Sequence, residues 1–172
     1  MTKLDVGWVR TRPFKPEDTH DVAAVIVPIQ QVEFGIAVTL EDQPDLGNIP
    51  AFYQQGNGNF WVAEADGRIV GTIGLLDIGN NQAALRKMFV AAPFRGGEHG
   101  IAKDLLDELF AWSASKCISE IYLGTTDRFL AAHRFYEKNG FAGIARHELP
   151  SAFPVMAVDS RFYRRVVSRD DA

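Results

Sequence analysis

The chain has 172 residues, of which 47% are hydrophobic and 23% charged, as expected for one soluble globular domain over residues 1–172. Its formal net charge of −4 disfavours a nucleic-acid partner, because phosphates are bound by a basic surface. The single cysteine, Cys117, excludes an intrachain disulfide and favours a reducing compartment. The longest apolar stretch near the start, residues 22–29, is too short to cross a bilayer, so we expect a cytoplasmic protein without a membrane partner.

The first fifty residues predict a strand and two helices. Residues 8–14 alternate bulky and charged side chains, which is typical of a strand. Residues 16–18 (Pro-Glu-Asp) suit the start of a helix, because proline needs no N–H there and acids favour the positive end of the helix dipole. We expect this helix to reach about Phe34. After a break at residues 42–45, apolar side chains recur at helical spacing over residues 49–53.

The middle of the chain predicts three consecutive strands. Residues 59–65 and 68–76 flank Asp66-Gly67, a dipeptide that favours a tight hairpin turn. Residues 82–90 form the third strand, which ends in the apolar trio Met-Phe-Val. These strands therefore build an antiparallel core for the sheet.

The second half alternates helices with strands. An apolar stripe over residues 101–110 predicts a long helix. A second helix is expected from a cap at Thr126 or Asp127 to Asn139, where Asn-Gly ends it as a left-handed C-terminal turn would. Three further strands are expected, over residues 118–125, 141–148 and 155–167.

This order of elements predicts a mixed α/β (α+β) fold. We expect a single central, mostly antiparallel, twisted sheet of about six or seven strands, with helices on both faces. One parallel crossover is expected at the centre of the sheet, where a long helix joins two strands.

A glycine-rich loop joins the strand that ends at Val90 to the helix that begins near Gly100. The first N–H groups of a helix are unpaired and carry the positive end of its dipole. Glycines let the backbone approach a phosphate closely, so the loop predicts a cradle for a pyrophosphate. The alternative is that the glycines only turn the chain. The loop is neither a P-loop nor a dinucleotide fingerprint, because it lacks Gly-Lys-Ser/Thr and the regular βαβ context.

Three segments in the same order and spacing resemble the GNAT superfamily of N-acetyltransferases. Residues 90–102 are similar to its strand, Arg-Gly and Gly-x-Gly/Ala pattern, and residues 121–123 to its next strand. Residues 132–141 are similar to its Ala-x-x-x-Tyr-x-x-x-Gly-Phe ending. The loop departs from the usual form, because two extra residues separate Arg95-Gly96 from Gly100. The resemblance implies a GNAT-like fold and binding of acetyl-CoA as co-substrate.

The resemblance also implies the residues that bind acetyl-CoA. These are Met88, Phe89, Val90, Arg95, Gly96, Gly97, Gly100, Ile101, Ala102 and Phe129. Phe129 stands where the family often has an asparagine that touches the pantetheine arm, so that contact is lost or replaced. No metal is expected, since no residues have metal-ligand spacing.

Acetyl transfer from a thioester to an amine needs proton transfers and stabilisation of the carbonyl oxygen. The resemblance makes Tyr136 the general acid for the leaving thiolate; the alternative is that its ring only packs on the helix. It also implies a bulge near Phe89 and Val90 that points an N–H at the carbonyl.

The general base is not identified by the motif. The strand positions where the family often has a glutamate hold residues 84–87 (Ala-Leu-Arg-Lys), none of which is a base at neutral pH. The remaining candidates are a water relay, Glu33, or no base at all. Acids such as Asp42 and Asp45 are available to attract a cationic amine, but acids on a loop are usually solvated.

These observations predict an enzyme that transfers the acetyl group of acetyl-CoA to a primary amine of a small molecule or peptide by direct attack. The alternatives are a non-catalytic acyl-CoA-binding sensor and an acyltransferase that uses a longer acyl group. A homodimer is plausible from the resemblance.

Overall fold

The computed structural model describes residues 9–97 and 99–172, so Trp8 of the first predicted strand lies outside the described residues. Seven strands form one sheet in the order β1-β2-β3-β4-β5-β7-β6. The strands are β1 (Val9–Pro13), β2 (Asn59–Ala65), β3 (Arg68–Gly79), β4 (Gln82–Val90), β5 (Glu120–Thr125), β6 (Ala142–Ile144) and β7 (Arg161–Val166). Neighbouring strands are antiparallel except for the parallel pair β4 and β5. The predicted fold class is confirmed.

The helices differ in detail from the prediction. They are α1 (Thr19–Pro28), α2 (Pro44–Gly47), α3 (Ile49–Phe52), α4 (Ile101–Ser115) and α5 (Leu130–Lys138). The first predicted helix is divided into a 3₁₀ turn, α1 and a π-helical turn over Ile29–Glu33. Pro28 ends α1, and the amide of Phe34 then bonds the carbonyl of Ile29 at 3.1 Å, five residues back. The helix predicted from Thr126 or Asp127 to Asn139 starts later than expected, with Phe129 at its N-cap.

Both closing strands are shorter than predicted. β6 has three residues, because a 3₁₀ turn follows it in which the Ala145 amide donates to Glu148 Oε2 at 2.7 Å. β7 begins at Arg161, not at Val155. In the segment before it, the amide of Met156 donates to Asp159 Oδ2 at 2.9 Å, which fixes a turn in place of a strand. The predictions over residues 141–148 and 155–167 were therefore wrong at one end each.

The sheet buries an apolar core on each face. α4 and α5 cover one face, and Gly71 of β3 allows α4 to pack closely: a Cβ at Gly71 would lie 3.1 Å from Leu105 Cδ1. α1, α2 and α3 cover the other face, where the core includes Ile26, Tyr53 and Phe60.

The parallel strands β4 and β5 pair over Gln82–Ala84 and Glu120–Tyr122. Beyond these residues the two strands border a cleft that is lined by residues of both. This divergence brings the end of β4, the glycine loop and the start of α5 to one site.

Candidate active site

The cleft between β4 and β5 has a volume of about 1310 Å³. It is lined by every predicted site residue except Glu33 and Ile101. Ile101 is 1% exposed and its side chain packs in the core beneath α4, so its main chain is the part available to a ligand. One cleft therefore unites the predicted loop, strand and Tyr136.

A β-bulge lies in the strand that forms one wall of the cleft. Thr72 pairs with Phe89 and Gly74 with Arg86, so two residues of β4, Lys87 and Met88, oppose one residue of β3. Lys87 has a φ of 55°, which is uncommon for a side-chain-bearing residue. The predicted bulge is thus present, one or two residues before the expected position.

The glycine loop ends at an open helix N-terminus. Gly96 and Gly100 have positive φ values of 107° and 63°, which favour glycine. Gly100 is the N-cap of α4, and the first helical bond runs from Asp104 N to Gly100 O at 2.9 Å. The amides of residues 101–103 therefore precede the helical ladder. A Cβ at Gly96, Gly97 or Gly100 would meet no described atom within 4 Å, so the loop surface is open.

Arg95 connects this loop to the π-helical turn after α1. Its Nε donates to the carbonyl of Val90 at 2.7 Å, and its guanidinium forms a two-point ion pair with Glu33. The Arg95 hydrogen bond and charge lower the pKa of Glu33. Glu33 does not line the cleft, and its role as general base stays a prediction.

Tyr136 lies on α5 with its ring in the core between Phe141 and Tyr163. The residue is 5% exposed, yet it lines the cleft. Its hydroxyl has no hydrogen-bond partner among the described residues, and the residue forms part of the cleft wall. Burial raises the pKa of Tyr136, which keeps the hydroxyl protonated as a donor.

An aromatic group stands where the family's asparagine was expected. The ring of Phe129 meets the ring of Phe34 edge-on, with centroids 4.5 Å apart, and that of Phe89 at 6.4 Å. All three residues line the cleft. Apolar contact therefore replaces the expected amide hydrogen bond at this point of the wall.

A buried polar network at the base of the cleft was missed by the sequence reasoning. Lys87 Nζ donates to Gln43 Oε1 at 2.5 Å and lies 3.6 Å from Asp45 Oδ2, which also accepts from the Tyr53 hydroxyl at 2.5 Å. Gln30 and Gln43 exchange hydrogen bonds of 3.0 and 2.8 Å. Asp45 is 5% exposed, so the expectation of a solvated loop acid was wrong. A buried cationic partner explains why a carboxylate is tolerated there.

Asp159 is a second site residue that the sequence did not indicate. It lines the cleft from the segment before β7, at a position expected to be strand. Burial raises the pKa of this carboxyl, while the charges of Arg86 and Arg146 lower it by smaller amounts. The turn that presents Asp159 depends on its own hydrogen bond to Met156, a contact between residues that no spacing motif identifies.

The family described as "Acetyltransferase (GNAT) family" matches residues 23–141, more than half of the chain. The chain belongs to the GNAT acetyltransferase family. The predicted family is thereby confirmed, and the reaction is proposed below.

Solved structures of similar proteins include two bacterial acetyltransferases. The GNAT acetyltransferase from Staphylococcus aureus Mu50 is 41% identical, with a TM-score of 0.90 over 94% of this chain and 100% of that one. The acetyltransferase from Streptococcus agalactiae is 27% identical, with a TM-score of 0.87 over 92% and 98%. The N-acetylglutamate synthase from Neisseria gonorrhoeae, described as complexed with coenzyme A, is 17% identical with a TM-score of 0.71 over 95% of this chain and 36% of that one, and shows the fold alone.

Curated relatives are larger proteins. The N-acetylaspartate synthetase of Danio rerio is 36% identical over 106 residues, which are 60% of this chain and 37% of that protein. The probable N-acetyltransferase family 8 member 5 of Mus musculus is 35% identical over 58% of this chain and 45% of that protein. The chain spans less than half the length of these curated relatives.

Proposed function

We propose that the protein transfers the acetyl group of acetyl-CoA to a primary amine of a small molecule or peptide by direct attack, with Tyr136 as general acid. One observation supports this: a single cleft is lined by the N-terminus of α4, the bulge in β4 and Tyr136. An anion site, an amide donor and an acid are the parts that thioester aminolysis requires.

The glycine loop fits a pyrophosphate. Its glycines leave the amides open, and the helix dipole favours a negative charge beside residues 100–102. Met88, Phe89, Val90 and Phe129 offer an apolar wall for the pantetheine arm. Acetyl-CoA, when bound, supplies the activated acetyl group, and Arg95 holds the loop to Val90 and Glu33.

Different groups of the cleft would assist different steps of the reaction. An amide at the Lys87–Met88 bulge would stabilise the carbonyl oxygen as negative charge develops on it. The Tyr136 hydroxyl would donate a proton to the sulfur as the C–S bond breaks. Its raised pKa keeps the hydroxyl protonated, so that the proton is present when the sulfur becomes negative.

Several finer predictions stay proposals. Among residues 9–97 and 99–172 no helix is both long and apolar enough to span a membrane. A cytoplasmic location, a single domain, a possible homodimer and a reaction without a metal remain predictions from the sequence. Glu33 remains one of the general-base candidates from the sequence, beside a water relay or no base.

Two measurements test the proposal. Calorimetry should show binding of acetyl-CoA, and release of free CoA should then depend on an added primary amine. A non-catalytic sensor would bind acetyl-CoA without turnover, and an enzyme for a longer acyl group would release CoA faster from that acyl-CoA. Absence of acetyl-CoA binding by the folded protein would refute the proposal.

A further inference from the structure

The bulge places two consecutive basic side chains on the same face of the sheet. In a regular strand, successive side chains point to opposite faces. Here Lys87 points to Gln43 and Asp45, and Arg86 Nη2 lies 3.4 Å from Met156 Sδ in the same cleft. The part of the cleft beside the bulge therefore has two adjacent cations.

Only one of these two cations is neutralised by the described residues. The Lys87 ammonium has Asp45 at 3.6 Å and the Gln43 oxygen at 2.5 Å. Among residues 9–97 and 99–172, no carboxylate lies within 4.0 Å of the Arg86 guanidinium, which is half-buried and lines the cleft. Among the described residues the Arg86 guanidinium thus has no anionic partner, and its N–H groups can bind an anion.

A carboxylate with a free oxygen faces the same space. Asp159 Oδ2 accepts from the Met156 amide at 2.9 Å, whereas Oδ1 has no partner in the described part of the chain. A Cβ at Gly124 would lie 2.6 Å from Asp159 Oδ2, so the missing side chain at Gly124 lets the carboxylate lie against β5 at the cleft wall. The charge of Arg86 acts on Asp159, although the two groups are more than 4.0 Å apart.

We infer that the acceptor carries a carboxylate next to its amine, with the carboxylate on Arg86 and the amine facing Asp159. This inference rests on the proposed function and specifies its acceptor. A compound with both charges, such as an amino acid, satisfies the guanidinium fork and the free carboxylate oxygen together. A simple alkylamine leaves Arg86 unpaired, and a polyamine is repelled by Arg86 and Lys87.

Asp159 also has a defined proton to accept. The acceptor amine arrives as an ammonium at neutral pH, and its nitrogen needs a lone pair before it bonds the acetyl carbon. Asp159 Oδ1 takes one proton from the ammonium and later releases it to solvent. The second proton passes from the nitrogen to solvent as the C–N bond forms and the C–S bond breaks. The sulfur departs as a thiol with the proton from Tyr136, and the tyrosinate takes a proton back from solvent before the next turnover.

The test compares L-amino acids with their α-amides in an assay of CoA release. For the wild type, kcat/KM should be about 10- to 100-fold higher for the acids, since a charged hydrogen-bonded pair in a cleft has that magnitude. Arg86→Gln should remove this preference by raising KM for the acids while the KM for acetyl-CoA is unchanged. Arg86→Lys should restore part of it. Arg134→Gln, the same charge change at an exposed position of α5 outside the cleft, is the control and should keep the preference.

Calorimetry with the same acids and amides, in the presence of CoA, reads binding independently of turnover. Tighter binding of acids that is lost in Arg86→Gln supports the inference even without catalysis, and in that case the proposed function fails alone. Equal use and equal binding of acids and amides, or a preference that persists in Arg86→Gln, overturns the inference while amine acetylation itself still stands.

Discussion

The Thr72 hydroxyl donates a hydrogen bond of 2.7 Å to the carbonyl oxygen of Lys87, across the bulge between β3 and β4. Thr72 is completely buried. The bond supports the left-handed conformation of Lys87, which turns its side chain to the face of the sheet on which Arg86 lies. A single buried hydroxyl thereby links the interior of the sheet to the chemistry of the cleft.

Thr72→Val keeps the shape of the side chain but leaves the Lys87 carbonyl without this donor. We expect a loss of about 1–3 kcal/mol in the free energy of unfolding, as for a buried acceptor that loses its partner. The acetylation rate should also fall, because the bulge loses a support. Urea unfolding and steady-state kinetics measure the two effects. Thr125→Val is the control for stability, since the Thr125 hydroxyl has no hydrogen-bond partner among the described residues; equal losses in both variants would contradict the prediction.

The sheet and the loop were predictable from the sequence because local patterns encode them. The hairpin at Asp66-Gly67, the strand before the loop and the helix after it each follow from turn chemistry and periodicity, and the motif order identified the family. The closing strands were less predictable. In residues 155–160, alternation suggested a strand, but the hydrogen bond from Met156 to Asp159 stabilises a turn there.

The polar network and the acceptor end of the cleft were not predictable, because they depend on contacts between distant segments. Gln43 and Lys87 are 44 residues apart and meet through the packing of α2 beneath the bulge. The bulge itself is one extra residue in β4 relative to β3, and this register shift is not visible in the sequence of one strand. The bulge brings Lys87 to the face of the sheet on which Arg86 lies, and Arg86 at this position is a candidate for binding the acceptor.

Alanine substitutions at two neighbouring glycines of the loop distinguish backbone strain from steric hindrance to the ligand. Gly96 has a φ of 107°, so Gly96→Ala should destabilise the protein by about 1 kcal/mol. The φ of Gly97 is not in the positive range, and its Cβ position is open, so Gly97→Ala should leave stability within about 0.5 kcal/mol. We nevertheless expect Gly97→Ala to weaken acetyl-CoA binding about 10-fold by calorimetry, because a methyl group would keep the pyrophosphate from the amides. Unchanged affinity in this variant would exclude Gly97 from the anion site.

The pairing of Glu33 with Arg95 gives a way to decide the role of Glu33. Glu33→Gln removes the ion pair at the loop, so the Kd of acetyl-CoA should rise several-fold, with a dependence on salt. If Glu33 only supports the loop, kcat for the acceptor should change by less than about 3-fold and the pH profile should keep its shape. Glu41→Gln, on an exposed acid of the nearby segment, is the control. A large loss of kcat with a flattened pH profile would instead support Glu33 as the general base.

Tyr136→Phe removes a hydroxyl that has no partner among the described residues. Stability should therefore change little, whereas kcat should fall roughly 10- to 1000-fold with acetyl-CoA affinity unchanged, as for the loss of one general acid. Tyr163→Phe is the matched control: its ring centroid lies 6.2 Å from that of Tyr136, and its hydroxyl bonds Glu137 at 3.2 Å outside the cleft. A similar kcat for Tyr136→Phe and the wild type would remove Tyr136 from the mechanism.

Asp159→Asn should affect activity and stability in opposite directions. Burial raises the pKa of Asp159, against the smaller opposing charges of Arg86 and Arg146, so the folded state holds the proton at pH values where the unfolded state has lost it. The contribution of Asp159 to the free energy of unfolding is therefore fully present below the ordinary aspartate pKa. It is lost as the pH rises through the higher pKa of the folded state. The asparagine variant lacks this loss and should be at least as stable as the wild type at neutral pH.

The activity of the same variant tests the proton acceptor. In the wild type, kcat/KM for the acceptor should rise with pH as Asp159 loses its proton, over a range above that of an ordinary aspartate. Asp159→Asn should lower kcat/KM about 100-fold and abolish this part of the profile. Asp127→Asn, on an exposed acid between β5 and α5, should leave both unchanged. Because the variant is expected to be no less stable, lost activity cannot be attributed to unfolding; full activity with an intact profile would mean that another group, or water, takes the proton.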